Sequence, residues 1–448
     1  MEIVANTSGI VGYKLTLNWN ARIEFQGHGT VAVQESGRIA KNLCGKTRIP
    51  EKGRCTMDKN CSRRKFIGAV GAAAGACIAR PSLLSPLDAP ASRVAVGLCR
   101  KYDEQVPGVL STMFDQLGGL EGLVRGKTVA IKLNLTSKPD DWVEGEPPGM
   151  THWVNNQVVA SLVYLLGKAG ARRIRLLESS LAGYPDALED FIALAGWKPK
   201  GFLSLASNVE FENTNFLGSG KTYARFMVPG GGLMYKGYDL NHSYMDCDVF
   251  ISLAKLKQHG TTGVTLSIKN CFGMTPCTIY GDEAPEDEPS VAPAGLRSAV
   301  LHRGSRLPPK SAPQPVDPDP SHDEGYRVPR IIVDLVAARP IHLAIIDGIY
   351  TITGGAHTLH FDWDHKLVHP GLLIAGLNCV CTDAVATALM GFDPMADRGK
   401  PPFENCDSTL RIAEGAGIGT RDLNRIEVIG APISKARFRF PALSSLKS

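Results

Sequence analysis

A chain of 448 residues, 44% hydrophobic and 21% charged, can bury a large core and lacks the composition of a disordered segment. Its net charge of +5 comes from scattered lysines and arginines with no basic helix interleaved with aromatics, which argues against nucleic acid as a partner. The eleven cysteines show neither zinc-ribbon spacing nor a ferredoxin-type run of four, so no cysteine-bound iron–sulfur cluster is expected. Most are read as small hydrophobes, Cys379 and Cys381 in a buried turn, with disulfides an option on export.

Residues 1–56 contain alternating pieces such as TLNWNARIEF, yet are expected to hold little structure and to precede a true start at Met57. From Met57 the chain reads MDKNCSRRKFIGAVGAAAGACIA, a basic segment followed by an Ala/Gly-rich apolar run too short to span a bilayer. Arg63 and Arg64 followed by Phe66 and Ile67 make residues 57–91 resemble a twin-arginine (Tat) export signal, with Ala89 and Ala91 forming a small-residue cleavage site. The resemblance implies the Tat machinery as a partner, a periplasmic or extracytoplasmic location, no stable membrane span, and often a cofactor loaded before export.

Residues 92–448 read as one α/β domain, a mostly parallel sheet with helices on both faces. Strands are expected at 93–98, 128–134, 173–178, 249–254, 341–347, 372–378 and 425–430. Helices are expected at 107–117, 154–169, 186–196, 331–338 and 382–391, the last capped by Thr382 or Asp383. Residues 203–241 read as a hairpin-bearing insertion, and 281–329, rich in proline and acid, as a long loop or lid. The stretch VTLSIKN at 264–270 fits either a helix or an alternating strand.

Polar residues collect where these apolar strands end: Lys132 and Asn134, Glu178 and Ser179, Lys255 with Lys257 and His259, Asp347, and Asp383 after Asn378. The C-terminal edge of a parallel sheet is where ligands bind, because helix N-termini and loop amides gather there. Lys255, Lys257 and Lys269 suit a phosphate or carboxylate, or an amine acting as base or Schiff-base former, and His259 suits proton transfer. Thr262, Thr265 and Asn270 are further contact candidates. In the loop 354–369, His357, His360, His365 and His369, with Asp362 and Asp364, could hold a divalent metal, although their spacing fits no standard zinc signature. No GxSxG elbow, Walker loop or Rossmann fingerprint is present, which removes support from those chemistries.

The KxKxH and TxxTxSxKNxxG pattern formed by Lys255, Lys257, His259, Thr262, Thr265, Ser267, Lys269, Asn270 and Gly273 resembles the domain of unknown function 362 family. So do the LNL segment at 133–135, the AGARRIRLLESS block, Asp347-Gly348 and TDAVATALMGFDP, so that the resemblance spans about residues 93–430. It implies no settled activity. Some relatives carry a ferredoxin-like domain whose cysteines this chain lacks. The expectation is an exported enzyme acting on an anionic small molecule, with Lys257, His259, Lys269 and Asp347 as catalytic candidates. Lys132, Asn134, Glu178, Ser179, Lys255, Thr262, Thr265, Asn270 and Asp383 are the substrate-binding ones. A non-catalytic ligand- or cofactor-binding protein and a redox-associated protein are the alternatives, with reaction class and oligomeric state open.

Overall fold

In a computed structural model of the chain, the described residues are 89–355 and 364–446, together with three short strands near the N-terminus. Residues 1–82 and 83–448 form separate compact units. In the first, Lys14–Asn18 pairs antiparallel with both Glu2–Ile3 and Arg22–Gln26, so residues 16–18 and 22–25 of the alternating run form a ladder. Most of the leader at 57–91 lies outside the described residues.

The second unit is built on eight strands: β1 (Val94–Leu98), β2 (Thr128–Lys132), β3 (Arg173–Glu178), β4 (Val209–Asn213), β5 (Val249–Lys255), β6 (Leu343–Gly348), β7 (Leu372–Gly376) and β8 (Val428–Gly430). Their order across the sheet is β8-β1-β7-β6-β5-β2-β3-β4. Every pairing is parallel except those of β7, which runs antiparallel to β6 and β1. This is the expected mostly parallel sheet. Because both faces are covered, the central strand β5 is buried at every position and reads as a continuous apolar run. Ile251 and Leu253 pack toward helices α1 (Gln105–Gln116) and α2 (Asn156–Lys168). Phe250 and Ala254 pack on the other face, toward α4 (Glu324–Ala338) and α5 (Cys379–Leu389). A short helix α3 (Ser267–Asn270) follows the strand Gly263–Thr265, so VTLSIKN is strand and then helix, broken at Leu266.

Several expectations are corrected. The insertion at 203–241 does contain a hairpin, Ala224–Met227 with Gly237–Leu240, but its first part is β4, the parallel edge strand. The proline-rich segment ends earlier than expected, because α4 starts at Glu324 with Asp323 capping it and carries Pro329 inside. A proline removes one helical N–H, and the Gly325 carbonyl this frees accepts instead from the Asp407 amide at 2.8 Å. A side chain at Gly325 would meet the Asn405 carbonyl, so the approach needs glycine.

Helix α5 starts three residues before the expected position, and its cap is Asn378, whose side chain accepts from the Val380 and Cys381 amides. Thr382 and Asp383 lie inside the helix. The antiparallel course of β7 also puts Asn378 at the sheet edge opposite the ends of β2, β3, β5 and β6. The shared edge therefore gathers four of the anticipated strand ends and not five. Asn378→Ala is expected to cost about 1–2 kcal/mol in urea unfolding, by leaving the two cap amides without their acceptor.

Candidate functional site

At the end of β5 the sheet forms a buried ion pair. Lys255 and Asp347 are direct neighbours across β5 and β6, both fully buried, with Nζ 3.1 Å from Oδ2. Tyr102, just past β1, donates its hydroxyl to Asp347 at 2.8 Å, and the same oxygen accepts from Lys255 at 2.8 Å. The Asn155 and Ile349 amides complete the carboxylate, and the Gly149 carbonyl lies 3.4 Å from the ammonium. Lys257 is buried alongside and donates to the His152 carbonyl at 2.7 Å. Burial, then Lys269 and Lys255, holds its ammonium well below the usual lysine range.

A cleft of about 280 Å³ opens on the other side of this edge. Eight of the anticipated residues line it: Lys132, Asn134, Glu178, Ser179, His259, Thr265, Lys269 and Asn270. Lys132 is pinned to Glu178 at 2.5 Å and to its neighbour's carbonyl at 2.7 Å. Glu178 is held by the Leu135 and Ser179 amides. A side chain at Gly273 would come within 2.8 Å of the Lys132 Nζ and 3.0 Å of Glu178, so the pair would have to shift to admit one. Asn270 donates to the Lys132 carbonyl and to Ser252 Oγ, tying α3 to β2 and β5. Asn134 accepts from the Lys255 amide.

Lys269 differs from these. Among the described residues its Nζ makes neither a hydrogen bond nor an ion pair, and it lies 4.4 Å from the Phe272 ring centroid. Burial, reinforced by Arg297 and Lys132, brings its pKa down to about 7. The buried Thr265 hydroxyl in the same cleft also lacks a partner among the described residues. His259 Nδ1 accepts from the Thr261 amide at 3.1 Å, which places the proton of a neutral ring on Nε2.

Several lining residues escaped the sequence reading, among them Arg297 and His302. Arg297 donates to the Thr275 carbonyl and to Ser179 Oγ and has no carboxylate partner among the described residues, while His302 stacks edge-on against Phe272. Both come from the proline-rich segment, which borders the cleft. That segment lacks periodicity, and only its course over the α3 turn singles these residues out. Tyr102 was missed for a similar reason, since nothing local marks a tyrosine four residues past a strand as part of a buried ion pair.

The remaining candidates stand apart from the cleft. Lys255 and Asp347 satisfy each other and are not among the residues that line it. Lys257 is turned onto the 149–152 loop. Thr262 closes its own turn through the Val264 carbonyl. Asp383 reaches across from α5 to accept from Ser267 N, Ser267 Oγ and Ile268 N at 2.9, 2.5 and 3.0 Å. It caps α3 from a distance, because Leu266 has no side chain that could. In the histidine-rich loop, His357 and His360 lie outside the described residues. His365 Nδ1 lies 2.8 Å from the Thr353 carbonyl, and His369 packs on Tyr350. Among the described residues no three His, Cys, Asp or Glu side chains are grouped to hold a metal, and no helix is long and apolar enough to cross a membrane.

Fold and cleft define an α/β protein with a cationic site at the C-terminal edge of its sheet. The chain belongs to the family described as domain of unknown function (DUF362), whose model matches residues 129–388, more than half of the chain and all of the cleft-lining strand ends. A thylakoid-associated protein of Synechocystis sp. is 25% identical over 186 residues, 41% of this chain and 51% of that protein. A protein of Thermotoga maritima with a crystal structure is similar at a TM-score of 0.30 and 15% identity, over 56% of this chain and 50% of that one. The chain thus matches about half the length of each.

Lys255→Met is expected to cost about 3–5 kcal/mol in guanidinium unfolding by stranding the Asp347 carboxylate, and adding Asp347→Leu to recover part of it. Burial raises the Asp383 carboxyl to about 7, against its three hydrogen bonds. The folded state then holds this proton more tightly than the unfolded chain, where the carboxyl titrates near about 3.9. Its contribution to stability is fullest below about pH 4 and declines as pH rises to about 7. Asp383→Asn is expected to flatten that slope in unfolding curves recorded across the same range.

Proposed function

We propose that this protein is an enzyme that binds a small anionic molecule in the cleft between the ends of β2, β3 and β5 and the proline-rich segment. One observation carries the reading: Lys269 and Arg297 face the same cleft with no carboxylate partner among the described residues, whereas Lys132 and Lys255 are each neutralised by an acid. Cations left uncompensated in a partly desolvated site favour an anionic ligand, and charge-assisted hydrogen bonds to it are strong. The Thr265 hydroxyl supplies a further polar contact. His259, which lines the same cleft, is the proton-transfer group. The leader motif at Arg63 and Arg64 supports export by the Tat route to an extracytoplasmic compartment.

Calorimetric titration with sulfate, whose charge is constant between about pH 6 and about pH 8, tests the anion site. Affinity is expected to fall as pH rises through about 7, because Lys269 loses its proton there. Lys269→Met is expected to weaken binding about tenfold or more at the lower pH and to remove the pH dependence. Absence of saturable binding, or equal binding by the variant, would overturn the reading.

A further inference from the structure

We propose that Lys269 forms a covalent imine with an aldehyde or ketone that also carries a carboxylate or a phosphate. The inference rests on the anion-binding reading above and names the substrate class for that cleft. An imine-forming lysine must present a neutral amine at working pH, must not be tied up by acceptors, and must face a space where a carbonyl carbon fits.

Among the four buried or half-buried lysines of this edge, only Lys269 meets all three conditions. Lys132 is held by Glu178 and a carbonyl, Lys255 by Asp347, Tyr102 and a carbonyl, and Lys257 by the His152 carbonyl. Lys269 has no such acceptor among the described residues and lies in the cleft over the Phe272 ring. With its pKa near 7, a large share of the amine is neutral at neutral pH, the pull of the ring on the ammonium notwithstanding.

The surroundings suit the other end of the ligand. Arg297 uses Nε and Nη2 on Thr275 and Ser179, which leaves Nη1 for an anionic oxygen. In the reaction the neutral Nζ attacks the carbonyl carbon, a C–N bond forms, and the carbonyl π electrons move to oxygen, which takes up the proton released from nitrogen. The resulting carbinolamine loses its hydroxyl as water, taking up one proton from solvent, and an iminium with one N–H remains. The amine, the carbonyl compound and one proton thus give the iminium and water, and no oxidant or reductant takes part. The positive iminium then withdraws electrons from the neighbouring carbon, which makes a proton or carboxylate there easier to remove.

The test is borohydride trapping on the full chain. The protein is incubated with glyoxylate in one arm and glyceraldehyde 3-phosphate in the other, reduced so that hydride converts the imine to a stable secondary amine, and mapped by peptide mass spectrometry. The expected result is an adduct on Lys269 exceeding that on exposed lysines such as Lys101 and Lys198, and suppressed by saturating sulfate. The arm that labels more strongly identifies the anionic group. Lys269→Arg, checked for folding by its melting curve, is expected to lose the adduct. Labelling spread evenly over exposed lysines, with sulfate still binding, would overturn the imine and leave the anion site standing. Loss of both sulfate binding and labelling would overturn both.

Discussion

The buried pair of Lys255 and Asp347 is the constraint on which this sheet edge depends. Two charges removed from water cost several kcal/mol each, and their attraction repays that only when every remaining donor and acceptor is met. Here the completion comes from four separate parts of the chain: Tyr102 after β1, the 149–155 segment before α2, and the ends of β5 and β6. The pair therefore works as a clamp that is stable only when these segments have arrived together. It also fixes where β5 stops, so that the chain leaves it into the small hairpin Lys257–His259 and Gly263–Thr265 and then α3, the elements that carry the cleft.

The cleft follows from the same electrostatics with the opposite outcome. Lys132 has its acid in Glu178, 2.5 Å away, with Gly273 packed against the pair. Among the described residues Lys269 has none, and Arg297 enters the cleft from the proline-rich segment with only neutral acceptors there. Burial that would otherwise be compensated is left as a depressed lysine pKa and an unmet hydroxyl on Thr265. Such unmet groups in a concave site cost stability in the free protein and strengthen binding of whatever satisfies them. Asp383 holds this in place indirectly, by capping the one-turn helix that bears Lys269.

Two features show local signals being overruled by packing. Pro329 reads as a helix stop, yet α4 passes through it because Asp407 takes the freed carbonyl and Gly325 lets the chains approach. The strand at 372–376 looks like its neighbours and runs the other way, which sends Asn378 to the far edge and leaves Asp383 to act through α5.

The sheet itself was legible in the chain, since β5 is an apolar run of strand length and α2 has helical spacing closed by Gly170. The clustering of polar residues at strand ends likewise located the edge where the cleft lies. These are local properties, decided by burial on two faces and by backbone preference within a few residues. Which of the lysines is neutralised was not legible, because Lys132, Lys255, Lys257 and Lys269 look alike until their partners, Glu178 46 positions away and Asp347 92 positions away, are known to touch them or not. Charge compensation and desolvation are set by distance in space. Only the tertiary structure could separate the lysines held by nearby acceptors from Lys269, which has none among the described residues.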